Sequence, residues 1–290
     1  MGITGLVRWV NAPTTGLSLI QENIRRNHDD WHREEWKLSV RSYRSTLGAL
    51  APERTMCALT MNENVFVLVD DPFAPTRADL AVHASKDGNG AVATIPDPAH
   101  YRYTFLTLNP PGALEQLLTQ LRARWATTKQ NMAGGSRQPS AQQLAIDGAI
   151  YTIGTDWIVR AGNIVLNGNT VKGMLLEAEY LPIATMDFAR GSEVVSSLLL
   201  SIVPNLPDLV LGQVTISAAQ LEDVLWDKEA EEQARREAER AERSGKDEED
   251  VFVSLDGEGD GVQRGDWVGV ERDRRSAYLI IGALKSEGLV

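Results

Sequence analysis

Glu177 and Glu179 come nearest, by type and spacing, to residues that could do chemistry in this chain. They lie two apart in Thr170-Val-Lys-Gly-Met-Leu-Leu-Glu-Ala-Glu-Tyr180, which reads as one long strand, so both carboxylates share a face. Facing into a barrel, such a pair could hold a divalent cation against a triphosphate. That chemistry also needs a further acidic pair and several inward Lys or Arg on neighbouring strands. The nearby strands supply only Arg160, Lys172 and Arg102, singly and without repeated alternation. The expectation is therefore an outward-facing, solvated pair, with a triphosphate tunnel metalloenzyme using Glu177 and Glu179 as the rival.

Other chemical constellations are weaker. His28-Asp-Asp-Trp-His32 has the spacing that sets two imidazoles on one helical face, as in zinc helices. Asp29 stands where a longer Glu is wanted and no third ligand is marked, so a polar helix end is expected. His83 and His100 lie in loop-like surroundings. Asp256-Gly-Glu-Gly-Asp-Gly261 begins like a calcium loop, but its twelfth position is Trp267 and not a bidentate Glu. The chain has no Gly-x-Ser-x-Gly elbow and no Walker loop. No catalytic, cofactor or metal residue is assigned, and no cofactor is expected. The single cysteine, Cys57, sits in an apolar run and reads as a buried, inert thiol.

The elements that would position these groups are mostly short strands. Ile3–Val10 opens as a strand, and a helix follows from about Ser18, with Gln21 completing a capping box. Residues 36–44 alternate as a half-buried strand. Met56–Thr60 and Val65–Val69 flank a short turn at Asn62-Glu-Asn64. Tyr101–Leu108 is strand-like. After Asn109-Pro-Pro-Gly112, Leu114, Leu117, Leu118, Leu121 and Trp125 form one helical stripe. Four closely spaced apolar segments fill 146–183, and Asn167-Gly168 is a strong hairpin signal because both turn positions need positive φ. A helix over Ser192–Ile202 and a strand near Leu209–Ile216 come next. From Ala218 to about Arg243 the pattern is helical but polar nearly all round. Arg274–Leu289 is a helix apolar over most of its circumference, so it must pack on its own barrel or on a partner.

The fold class expected is α+β, an antiparallel β-barrel flanked by helices. One barrel domain covers 1–217, with an irregular insertion at about 70–98. An acidic helical and disordered segment covers 218–268, and a C-terminal helix covers 269–290. Net charge is −11, which opposes nonspecific attraction to nucleic acid or anionic membranes. The stretch Glu222–Asp250 holds 13 acidic and 6 basic residues and so contributes −7 of that charge. No run approaches the ~18 apolar residues of a membrane span. A reducing compartment is expected.

Two ordered blocks resemble the subunit-20 family of the Mediator complex head module, in its fungal form. The first is Met1-Gly-Ile-Thr-Gly with Trp36-x-Leu-x-x-Arg41-x-Tyr43-Arg44. The second is Ile146-Asp-Gly148 with Lys172-Gly-Met-Leu-Leu-Glu177, and the final helix around Tyr278–Leu284 is similar to that family's closing helix. The resemblance implies a nuclear, noncatalytic scaffold subunit. It implies a heterodimer with the related subunit 18, the C-terminal helix of subunit 8 and other head subunits as partners, and a role in RNA polymerase II initiation. Direct nucleic-acid or membrane binding is not implied. Tyr278, Leu279, Ile281 and Leu284 are the candidate partner-binding residues.

Overall fold

A computed structural model describes residues 3–46, 53–77, 79–80, 98–122, 124–128, 143–168, 170–182, 188–214, 236 and 269–290. The bulk of the 70–98 insertion, the 129–140 linker, His83, the Asp256 loop and nearly all of the acidic segment 218–268 lie outside them.

Among the described residues ten strands form one antiparallel sheet: β1 (Ile3–Trp9), β2 (Trp31–Ser45), β3 (Thr55–Met61), β4 (Asn64–Asp70), β5 (Tyr103–Leu108), β6 (Trp125–Thr127), β7 (Gln143–Ile153), β8 (Trp157–Leu166), β9 (Thr170–Tyr180) and β10 (Leu211–Val214). The order is β10-β1-β9-β8-β7-β2-β3-β4-β5, with β6 pairing β2. Four helices accompany the sheet among the described residues: α1 (Gly16–Asn27), α2 (Ala113–Gln120), α3 (Phe188–Ile202) and α4 (Val270–Ser286). The class is α+β, as the sequence implies.

Among the described residues the hydrogen-bonded path is open, with β10 and β5 as its ends, but the sheet is strongly curled. Laid flat, β10 and β4 would lie about 34 Å apart at ~4.8 Å per strand, farther than the ~25 Å length of a 17-residue helix. Helix α4 nevertheless touches β10 and β1 on one flank and β3 and β4 on the other. The two halves of the sheet therefore wrap around α4.

Alternation along the strands divides the apolar residues into three clusters. The concave face sends Leu6, Trp36, Leu38, Leu59, Phe66, Phe105, Ile146, Ile164 and Leu175 onto Tyr278, Leu279, Ile280, Ile281 and Leu284 of α4. On the convex face, α1 and α3 cover Trp9, Tyr151, Val159, Met174 and Leu176. Helix α2 covers Tyr43, Met56, Val65 and Val67 farther along.

Several local expectations change. Helix α1 starts at Gly16, and its N-cap residue Thr15 makes no side-chain cap, so Ser18 caps nothing. It ends at Asn27, while His32 belongs to β2; the two imidazoles do not share a helix. His28 contacts the Ser201 hydroxyl at 3.2 Å. Helix α2 stops at Gln120, which leaves Trp125 in β6 instead of on the leucine stripe. The four segments of 146–183 are three strands, because 156–160 and 164–166 run together through Gly162 in β8. The Asn167-Gly168 turn forms with φ of 51° and 77°.

One irregularity sets the register of all that follows. Near that turn Leu166 pairs Thr170 and Val165 pairs Val171, yet farther on Asn163 pairs Met174 and Arg160 pairs Glu177. Ile164 is thus opposed by two residues of β9, Lys172 and Gly173, which is a β-bulge. Gly173 carries φ of 128°, and a Cβ there would meet the Trp9 carbonyl at 2.8 Å. Gly173→Ala should therefore destabilise the protein by about 1–3 kcal/mol in urea unfolding; an unchanged midpoint would show that the bulge needs no glycine.

Candidate functional site

The bulge turns Glu177 and Glu179 inward. Both are on the concave side of β9 at 1% and 2% exposure, so the expectation of an outward, solvated pair is corrected. The physical reason is that Met174, Leu176 and Ala178 are buried on the opposite face under α3. A strand covered on both sides leaves its polar residues no route to water.

Each carboxylate finds partners inside. Arg160 of β8, 4% exposed, brings Nη1 to 3.2 Å from Glu177 Oε1 and 3.5 Å from Glu179 Oε2. These contacts are ion pairs without hydrogen-bond geometry. Helix α4 supplies directed donors: the Ser276 hydroxyl donates to Glu177 Oε2 at 2.7 Å, and Arg272 Nε donates to Glu179 Oε1 at 3.1 Å. Burial pushes the Glu179 carboxyl up, against the pull of Arg160 and Arg272, while Glu177 adds to the rise. Burial also lowers the Arg275 guanidinium, which the two glutamates counter.

Charges tie down α4 along its length. Near its start Asp273 accepts from Asn62 Nδ2 at 3.1 Å, and Arg274 donates to the Phe105 carbonyl at 3.3 Å. Near its end Lys285 donates to Asp70 at 3.3 Å. Glu287, just beyond, pairs with the inward Arg8 of β1, and Arg8 also donates to the Lys172 carbonyl at the bulge. Beside Asp70, Asp71 works against its burial through contacts from His100 and Arg54 and from the Phe73 backbone N–H; together these hold its carboxyl below the usual range. Burial pushes the Cys57 thiol up to about 12, so it stays protonated and unreactive, as expected.

The candidate residues Tyr278, Leu279, Ile281 and Leu284 all lie buried on the α4 face that enters the curl. Lys172 is exposed on β9, and Arg102 of the sequence set is remote from the carboxylates, paired with Asp70 at 3.2 Å. Arg272, Arg275 and Ser276 are members of the cluster that sequence reasoning missed, as it did Arg8, which pairs instead with Glu287 and the Lys172 carbonyl. Among the described residues no group of three His, Cys, Asp or Glu could hold a metal. A shallow depression of about 520 Å³ on β2, β3, β7 and β8, lined by Lys37, Ser39, Thr60 and Asp147 among others, does not include the cluster.

No family model matches the chain, and no curated protein does. Solved structures similar in fold include a putative adenylate cyclase from Vibrio parahaemolyticus, 11% identical, with a TM-score of 0.37 over 69% of this chain and 88% of that one. The Schizosaccharomyces pombe Mediator head module gives 10% identity and a TM-score of 0.34 over 69% of this chain and 96% of the matched one. The Mimivirus capping enzyme triphosphatase gives 9% and 0.27 over 69% and 90%. At these values the likeness is one of fold alone. The expectation that this chain is not an enzyme is corrected here: most of the similar structures carry cyclase or triphosphatase names, and the acids on which it judged are turned inward.

Arg160→Ala leaves Glu177 and Glu179 with only the Ser276 and Arg272 donors of α4 and should cost about 3–5 kcal/mol in denaturant unfolding; a loss under about 1 kcal/mol, the range of exposed pairs, would contradict the buried pairing. Asp71, held low in the folded state, contributes stability that is whole above its unfolded pKa of about 3.9 and is lost as pH falls through the folded value. Acid titration of the unfolding free energy should show that loss, and Asp71→Asn should flatten it.

Proposed function

We propose that the chain is an assembly subunit of the kind found in the Mediator head module, acting in the nucleus beside a second, related barrel of the subunit-18 type and held by a helix of subunit 8. The observation that carries this reading is the concave face. It is lined chiefly by large apolar residues and filled by α4, whose Ser276 and Arg272 already engage Glu177 and Glu179. With that face occupied, the convex layers and sheet margins are what the molecule offers to a neighbour. The ordered sequence blocks that resemble subunit 20 support the same reading.

Tyr278, Leu279, Ile281 and Leu284 serve partner binding by holding β10 and β1 against β3 and β4, which fixes the shape of those margins. Burying each large side chain contributes about 1.5–3 kcal/mol. Ile281→Asp should lower stability and abolish association with the subunit-18 barrel together. If both were unchanged, the role given to α4 would be wrong. Copurification of the tagged full chain from nuclear extract should recover Mediator head subunits, identified by mass; recovery of the chain alone overturns the reading.

One observation favours a second reading. Glu177, Glu179, Arg160 and Arg8 are acids and bases turned toward the inside of a curled antiparallel sheet, where a triphosphate and a divalent cation could be held once α4 withdraws. Manganese-dependent phosphate release from a nucleoside triphosphate, abolished in Glu177→Gln, would establish it, and absence of release would remove it.

A further inference from the structure

The sequence holds two Asn-Gly pairs, Asn89-Gly90 and Asn167-Gly168. The second forms the tip between β8 and β9, and both of its residues are exposed. A side-chain amide followed by glycine is chemically vulnerable, because glycine has no Cβ to shield its own nitrogen. That nitrogen can attack the amide carbon of the preceding asparagine when the two come together. The backbone angle ψ of the asparagine decides whether they do.

In the closed hairpin that angle is wrong for attack. Asn167 has φ of 51°, and a residue with a Cβ is confined there to the left-handed well, with ψ about +30° to +60°. The ring that attack would close needs Cβ and the Gly168 nitrogen eclipsed about the Cα–C bond. At that ψ they stand instead about 150–180° apart. Two hydrogen bonds fix the pose: the Asn167 N–H donates to the Gln143 carbonyl at 2.9 Å, and Asn167 Oδ1 accepts from the Gln143 N–H at 3.3 Å. Gln143 opens β7, which lies beside β8. The tip is therefore pinned to a third strand as well as paired within its own hairpin.

Opening the tip is a local event. Two register pairs, Leu166 with Thr170 and Val165 with Val171, separate the turn from the bulge at Lys172 and Gly173. A hairpin end beside a break in its ladder opens at less cost than the strand interior. Once it is open, ψ reaches the attacking range, and the chemistry needs only water. The Gly168 nitrogen bonds to Asn167 Cγ while the Cγ–Nδ2 bond breaks, and Nδ2 leaves as ammonia with the proton that the nitrogen gives up. Water then opens the five-membered imide at one of its two ring C–N bonds. Cleaving the bond to Cγ leaves an ordinary aspartate. Cleaving the bond to the main-chain carbonyl carbon leaves an isoaspartate, whose backbone runs through Cβ and Cγ.

We propose that Asn167 is a latent deamidation site that records opening of the β8–β9 hairpin. Closed, the turn is protected; opened, it converts to aspartate or isoaspartate, and the isoaspartate form cannot return to the native register. The two products differ for a physical reason. Aspartate keeps an acceptor oxygen for the Gln143 N–H and tolerates positive φ much as asparagine does. Isoaspartate inserts one more main-chain atom into a tip whose length sets which residue of β9 faces Arg160. The alignment of Arg160 with Glu177 is then lost. Each molecule that converts this way leaves the folded pool for good. This inference goes beyond the assembly reading and stands independently of it.

Peptide mapping of the full chain, incubated in native buffer and in urea, tests the protection. A synthetic peptide of residues 163–172, run in the same two solutions, corrects for the effect of urea on the chemistry itself. In urea the Asn167 and Asn89 amides should convert at similar rates. In native buffer Asn167 of the full chain should convert at least about tenfold more slowly than in the peptide; equal rates overturn the proposal. Chain aged in native buffer is then separated by gel filtration into folded and aggregated material, and each is mapped. Aspartate at 167 should stay with the folded chain and isoaspartate should collect in the aggregate; equal shares of isoaspartate in both overturn the one-way step. Asn167→Asp should fold with its urea midpoint unchanged. A lowered midpoint would assign the loss to the new charge and not to the extra backbone atom, which also overturns the proposal.

Discussion

A charge taken out of water costs several kcal/mol unless another charge or a directed donor meets it, and three such groups, Arg160, Glu177 and Glu179, stand side by side on the concave face. The sheet alone cannot satisfy them, because Arg160 reaches both carboxylates without hydrogen-bond geometry. Helix α4 completes the set with Ser276 and Arg272. The same helix inserts the apolar face that fills the curl. Polar and apolar demands on α4 therefore point to a single seating. A helix rotated about its axis would leave carboxylates unmatched, and a helix shifted along it would lose Lys285 from Asp70 and Glu287 from Arg8.

That arrangement depends on the bulge at Gly173. Register in a sheet is two-valued: a slip of one residue sends every side chain to the other face. Counted from the Asn167-Gly168 turn without an extra residue, Arg160 would face Leu176. With Lys172 and Gly173 together opposing Ile164, it faces Glu177 instead. The bulge also frees the Lys172 carbonyl, which Arg8 takes. One backbone irregularity thereby aligns Arg160 with the acids and gives Arg8 its anchor.

Much of the fold was legible from the chain. The Asn167-Gly168 hairpin, the β3–β4 turn at Asn62 and the packed stripe of Val194, Val195, Leu198, Leu199 and Ile202 on α3, of which Val194 is only half-buried, follow from local turn chemistry and periodicity. The candidate site was less so. Alternation shows that Glu177 and Glu179 share a face but not which face. That answer lies in the bulge and in α4, roughly a hundred residues away in sequence. A usable signal was present nonetheless: Met174-Leu-Leu-Glu-Ala-Glu179 is apolar apart from its two acids, the mark of a strand buried on both sides. Read that way, the acids must be inside and must be matched. The early end of α2, by contrast, has no comparable signal, since Leu121 continues the leucine spacing beyond the last helical turn.

The seating of α4 has a consequence for how the molecule is made. Every strand of the curl is synthesised before the helix that fills it, and roughly 55 residues separate β10 from α4. At ~5–20 residues per second the nascent sheet waits about 3–10 s with its inner lining wet and its arginine and glutamates lacking their helix donors. During that interval the apolar lining is exposed surface of the kind that favours aggregation until its stopper arrives.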